Sequence, residues 1–193
     1  MQQSRGAGPI GTAEAARLDY GAKREIGRPE KAVVGRKAAA MVPDGAALFL
    51  DVGTTIEACA RELPRRGGFT VFTNSMRAAI LFDPQNHEVH VLGGRMAGRD
   101  GSLVGENVIE TLRNVQLDVA LIACSAVDDS GRVMDFDLAK IAVNRAAMAA
   151  SRRSFLLATH SKFRRSALGR IGTLEDFHVV VTEDSPAPDA HGG

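Results

Sequence analysis

Ala46-Ala47-Leu48-Phe49-Leu50-Asp51-Val52-Gly53-Thr54-Thr55 is an apolar run that stops at an acid, turns at a glycine and passes into two hydroxyl residues. Asp44-Gly45 precedes it, and so short a continuous apolar run between turn signals reads as a strand buried on both faces. A helical stretch over 56–63 follows, closed by Pro64. The pattern then recurs as a strand over 69–72, a polar loop Thr73-Asn74-Ser75, a helix to residue 82, and Asp83-Pro84 as a stop. A third strand over 88–92 runs into Gly93-Gly94. Strand, polar loop, helix, strand is the pattern of βαβ units, whose crossovers force neighbouring strands parallel and place helices over the sheet. The fold class expected is α/β, an open and mostly parallel sheet with helices on both faces.

The flanking sequence agrees. Upstream, 29–42 predicts a helix with Pro29 in its first turn and Val33, Val34, Lys37, Ala38 and Met41 along one stripe. Downstream come an apolar run over 117–124 interrupted by Asp118, a turn over 128–131, and a helix over 137–153. For that helix Asp137 is the expected N-cap, Leu138, Ile141, Ala142 and Met148 the apolar stripe, and Arg152 and Arg153 the cations at its C-terminal end. Strands over 154–158 and 178–181 complete the sheet.

The chain has 193 residues, one domain's worth, and 45% of them are hydrophobic, enough for a sizeable core. Lys and Arg number 24 against 23 Asp and Glu, a net charge of +1, which gives no case for a generic polyanion binder. No apolar run approaches the roughly 18 residues that cross a bilayer, and 1–11 has no signal-peptide core, so a cytoplasmic location is expected. Cys59 and Cys124 each sit in an apolar stretch and read as reduced, buried thiols. His87 and His90 are offset by three in a strand-like run, which turns them to opposite faces, so no metal site is expected.

Ligands of open parallel sheets bind beyond the carboxyl ends of the strands. Asp51 to Thr55, Thr73 to Ser75 and Gly93-Gly94 all occupy that position. Gly53 permits close backbone approach, and Thr54, Thr55 and Ser75 offer hydroxyls beside free amides, which suits phosphate or another oxyanion. The same residue types also serve as plain helix caps. Asp51 repels a phosphate; it reads as an acceptor for sugar hydroxyls, a general base, or an Asx-turn residue. Lys162 is a candidate opposing cation, while it and Lys140 each have solvated lysine as the ordinary alternative. The sequence has no G-x-S-x-G, no G-x-x-x-x-G-K-[ST] and no G-x-G-x-x-G after the first strand, so the α/β-hydrolase, P-loop and dinucleotide-binding readings lose their main support.

The ordered set Arg28-x-Glu30-Lys31, Leu50 to Thr55, Phe72 to Ser75, Val91 to Gly94, a strand near Asp118, Ile141 to Arg145 and His160 to Phe163 resembles the effector-sensing domain of DeoR-type bacterial transcriptional repressors. More distantly it resembles the ribose-5-phosphate isomerase and CoA-transferase superfamily. The resemblance covers roughly 14–182 and implies three zones: a linker remnant over 1–13, a sensor over 14–183 and a loose tail over 184–193. It implies an effector site lined by Asp51, Gly53, Thr54, Thr55, Thr73, Asn74, Ser75, Gly93, Gly94 and Lys162, with no catalysis and no cofactor. The implied partners are a phosphorylated sugar or related metabolite, further copies of the chain in a homo-oligomer, and operator DNA only through a winged helix-turn-helix that this chain does not show. Two positions depart from the family pattern: Asn144 where lysine is usual, and Thr159-His160 where an aspartate precedes Ser-Lys. A sugar-phosphate isomerase, with Asp51 as base and Lys162 beside an enediolate, is the alternative from a different class. A CoA-transferase would need a glutamate at a strand end, and Glu57 falls inside a predicted helix.

Overall fold

The computed structural model describes residues 20–98 and 100–186. The linker expected over 1–13 and most of the tail expected over 184–193 lie outside them. Two helices open the described chain, α1 (Tyr20–Glu25) and α2 (Arg28–Ala40), then β1 (Ala47–Leu50), α3 (Thr54–Ala60), β2 (Thr70–Thr73), α4 (Met76–Ala79) and β3 (Glu88–Val91). A hairpin of β4 (Arg95–Ala97) and β5 (Ser102–Val104) leads into α5 (Glu106–Arg113) and β6 (Leu117–Ala123). The rest comprises β7 (Ala126–Val127), β8 (Arg132–Asp135), α6 (Leu138–Ala150), β9 (Ser151–Leu157), β10 (Gly169–Thr173) and β11 (Val179–Val181).

The main sheet has six strands in the order β11-β9-β6-β1-β2-β3, every pair parallel. Because successive side chains of a strand point to opposite faces, Leu48 and Leu50 join the core under α2, α3 and α4 with Val34, Ile56 and Ala78. Phe49 joins the core under α5 and α6 with Val108, Leu112 and Ile141. Strand β1 therefore sits at the centre of both cores. The chain builds outward from β1 through β2 to β3, then returns to the other side of β1 as β6. That reversal puts a topological switch point between β1 and β6.

Helices α2 and α3 meet backbone to backbone. A Cβ on Gly35 would lie 2.6 Å from both Ala58 C and Cys59 N, so any side chain there must push the two helices apart. Gly35→Val is expected to cost at least about 1–3 kcal/mol, read as a lower urea midpoint with an unchanged slope.

Several expectations need correction. The helix expected over 137–153 ends at Ala150, because Ser151 already pairs with Leu117 as the first residue of β9. Arg152 and Arg153 are thus strand residues and cap no helix. The Ser151 hydroxyl instead donates to Ala147 O at 2.8 Å, and the Arg153 guanidinium stacks on Phe155. Helix α3 starts two residues earlier than expected and ends at Ala60. Two small antiparallel sheets, β4-β5 and β7-β8-β10, were not anticipated, since their strands of two to five residues are too short to show a period.

Candidate functional site

Asp51 follows β1 at the switch point. Its N–H donates to Leu121 O at 3.1 Å, extending the β1–β6 ladder. Its carboxylate turns inward: Oδ1 accepts from Val52 N at 2.6 Å, and Oδ2 from Ala123 N at 3.1 Å and Asn144 Nδ2 at 3.0 Å. Only 3% of the residue is exposed. Burial pushes this carboxyl up to about 7; the Val52 and Ala123 amides pull against that, Asp135 adds to it and Lys140 opposes it. Near neutrality both protonation states are populated. Asn144 matches either one, since Nδ2 donates to the carboxylate, while the buried Oδ1, unpartnered among the described residues, accepts from the carboxylic acid if the amide turns over.

The cap of α3 is Gly53, with φ of +146°, a conformation that L side chains rarely adopt. The first backbone bond of that helix runs from Glu57 N to Gly53 O, so the N–H groups of Thr54, Thr55 and Ile56 precede the ladder. Thr54 is half-buried and Thr55 buried. In the next loop the hydroxyls are committed. Thr73 Oγ1 donates to Leu50 O at 2.7 Å and accepts from Ser75 N at 3.0 Å, and Ser75 Oγ caps α4 by accepting from Ala78 N. Asn74 pairs with β5, its Nδ2 donating to Leu103 O and its own carbonyl accepting from Leu103 N, while Oδ1 stays buried and unpartnered among the described residues.

Gly93 and Gly94 are exposed. A Cβ on Gly94 would lie 2.6 Å from Val104 O and 3.0 Å from Val108 Cγ2, so the glycine lets the loop after β3 press against the end of the hairpin and the first turns of α5. Asp100, in the turn of that hairpin, accepts from Lys140 Nζ on α6 and from Ser102 N. The lysine holds the Asp100 carboxyl below its usual value against the opposing effect of burial.

The structure joins Asp51 to Asn144, and Thr73, Asn74 and Ser75 to the β1 and β5 backbones. Gly53 to Thr55 open α3 beside them. Lys162 stands apart: half-buried, it is pulled down by desolvation, whereas the cation acting on Asp51 is Lys140. Lys140 was expected to be solvated and is instead ion-paired. Lys140, Asn144 and Asp100 are site neighbours that sequence reading did not assign. The signal for the first two was their offset of four on α6, which aligns them on one helix face; Asp137 starts that helix at the same end of the sheet, accepting from Ala139 N and Lys140 N.

His87 is buried between Phe69 and Phe82, and His90 stacks on Phe72 across the sheet. Cys59 and Cys124 are free, and burial pushes both thiols up to about 12. No helix among the described residues is long and apolar enough to cross a membrane.

Comparison with known proteins adds the family. The chain is 32% identical over 179 residues to the glycerol-3-phosphate regulon repressor of Haemophilus influenzae, covering 93% of this chain and 70% of that protein. It is 30% identical over 166 residues to the HTH-type transcriptional repressor CsqR of Escherichia coli, covering 85% and 64%, so it spans about two-thirds of the length of these curated relatives. Ribose 5-phosphate isomerase A of Methanocaldococcus jannaschii shares the fold, with a TM-score of 0.51, 16% identity, and coverage of 71% of this chain and 55% of that one. Residues 27–184 match the model described as the DeoR C terminal sensor domain, and the chain belongs to that family.

Proposed function

We propose that this domain binds a small phosphorylated sugar or polyol at the carboxyl ends of β1, β2 and β3, and that binding changes the DNA affinity of a repressor of which the domain is the sensor. The observation that carries the reading is the start of α3. There a glycine of positive φ and three N–H groups ahead of the helix ladder open at the switch point between β1 and β6, an arrangement suited to an oxyanion. That a similar protein is named for the glycerol-3-phosphate regulon favours a phosphorylated polyol.

Within this reading Gly53, Thr54 and Thr55 face the anion, and Asn74, Gly93 and Gly94 border the polyol. Asp51, its oxygens already accepting three internal donors, sets the loops in place and no longer reads as the primary acceptor of sugar hydroxyls. Thr73 and Ser75 play the same supporting part, and Lys162 contributes positive potential from the β9 side. The reading is of a non-catalytic regulator. An isomerase needs a carboxylate presented to substrate as a base, and Asp51 is buried while Asp100 is ion-paired with Lys140. Contact with operator DNA would come through a separate helix-turn-helix. Self-association of the sensor would supply the two-fold symmetry that paired half-sites demand. Effector binding acts on DNA only through different affinity for two states of the assembly.

A thermal-shift screen of phosphorylated sugars and polyols against their unphosphorylated counterparts tests the reading. At least one phosphorylated compound is expected to raise the melting temperature while its counterpart does not. Equal shifts across every pair would remove the phosphate from the account.

A further inference from the structure

Strand β3 ends the main sheet, and among the described residues its outer edge pairs with no strand, β2 lying on its inner side. The N–H groups of Glu88 and Leu92 donate to Phe69 O and Thr73 O on that inner side. The alternation of a parallel ladder then turns the N–H and C=O groups of Val89 and Val91 outward. Val89 packs on the core under α4, and Val91, on the same face by the period of two, is 47% exposed. Met76 of α4 and Ile80 just past its end, the latter 79% exposed, extend this apolar strip. At the opposite edge of the sheet Val181 of β11 is buried.

An open edge with apolar side chains is a template for another strand unless lysine, proline or a bulge blunts it, and Val89-His90-Val91 has none of these. The charges beside the edge select what fits. Asp83 and Glu88 stand exposed at its start, while Arg77 and Arg95 stand exposed towards its end, Arg77 lying against Gly101 of the hairpin turn. A second copy laid antiparallel sets the acidic start of each strand on the basic end of the other, whereas a parallel copy sets like charges together.

We propose that β3 is a dimer edge, pairing antiparallel with β3 of a second copy about a two-fold axis at the position of His90 and joining the two main sheets into one. Val89 then faces the partner's Val91, the outward N–H and C=O groups are exchanged, and the two α4 helices share one face of the joined sheet. The register follows from what flanks the strand. A slip towards His87 meets an N–H already given to Asp83 O, and a slip towards Gly93 meets the loop that Gly94 presses against Val104. The inference rests on the self-association in the function proposed above and gives it a surface.

The test is sedimentation equilibrium of the chain, with melting curves to show that each variant is folded. The parent is expected to dimerise, and Val91→Lys, a charge on an exposed edge position, to weaken association at least about tenfold. His90→Cys is expected to give a disulfide-linked dimer on mild oxidation, because directly opposed residues at a non-hydrogen-bonded pair have Cα atoms about 4.5 Å apart, within reach of a disulfide. The native thiols of Cys59 and Cys124 are buried and do not compete. A dimer that folded Val91→Lys leaves as tight, or a folded His90→Cys dimer that stays unlinked, overturns the β3 edge while self-association stands. A parent that is monomeric at high micromolar concentration, as when residues 1–19 of the same chain cover the edge, overturns both; binding of a phosphorylated polyol by that monomer would leave the effector reading intact.

Discussion

Thr54→Glu is expected to weaken binding of any phosphorylated sugar by about a thousandfold while leaving the fold intact. Thr54 is the first residue of α3 and stands half-buried where the anion is proposed to sit. Two unit charges about 4 Å apart at an effective dielectric near 20 repel by roughly 4 kcal/mol, close to three decades in affinity, and the larger side chain also fills ligand space. An acidic residue in a first helical turn is tolerated or favoured by the helix dipole, so the melting temperature without ligand should change little. Thr54→Ser, which keeps the hydroxyl, should bind nearly as the parent does. Calorimetry on the three proteins checks this, and equal affinities for parent and Thr54→Glu would misplace the phosphate.

Asp51→Ala is expected to destabilise the domain, and by more at pH 5 than at pH 8. The substitution leaves Val52 N, Ala123 N and Asn144 Nδ2 without their acceptor, and orphaned buried donors cost about 1–3 kcal/mol each when unrelieved. The pH dependence follows from proton linkage. In the folded chain the Asp51 carboxyl is pushed up to about 7 from an ordinary value of 3.8, so between those limits the folded state holds a proton that the unfolded state has lost. The favourable contribution of Asp51 is complete below about pH 4 and is lost as pH rises through 7. Alanine cannot titrate, so the parent's advantage over the variant shrinks across that window. Urea unfolding of both proteins at pH 5 and pH 8 measures the difference. A parent advantage that grew with pH would contradict the burial account.

The sequence made much of this molecule legible, for particular reasons. Strand β1 was readable because both its faces are buried, which makes five apolar residues contiguous, and Asp51 with Gly53 marked where it stops. The loops after β1, β2 and β3 followed from the alternation of strand and helix, and with them the candidate site. The junction of α6 and β9 was hidden because nothing breaks there: Ala149, Ala150 and Ser151 carry no turn signal, and tertiary pairing with Leu117 alone ends the helix. The roles of Lys140 and Asp100 were equally invisible, being set by a contact across 40 positions of sequence. Of the hydroxyls singled out, Ser75 is a cap and Thr73 a loop tie, while Thr54 stands half-buried at the start of α3.

The recognition proposed is of phosphate on a small polyol at the ends of β1 to β3. Its most direct test is isothermal calorimetry of the chain against matched pairs, each a phosphorylated polyol and the same polyol without phosphate, at constant ionic strength. Saturable binding of at least one phosphorylated member with one site per chain is expected, with affinity for its unphosphorylated partner lower by about a hundredfold or more. Saturable binding of an unphosphorylated polyol with the same affinity as its phosphate ester would contradict it.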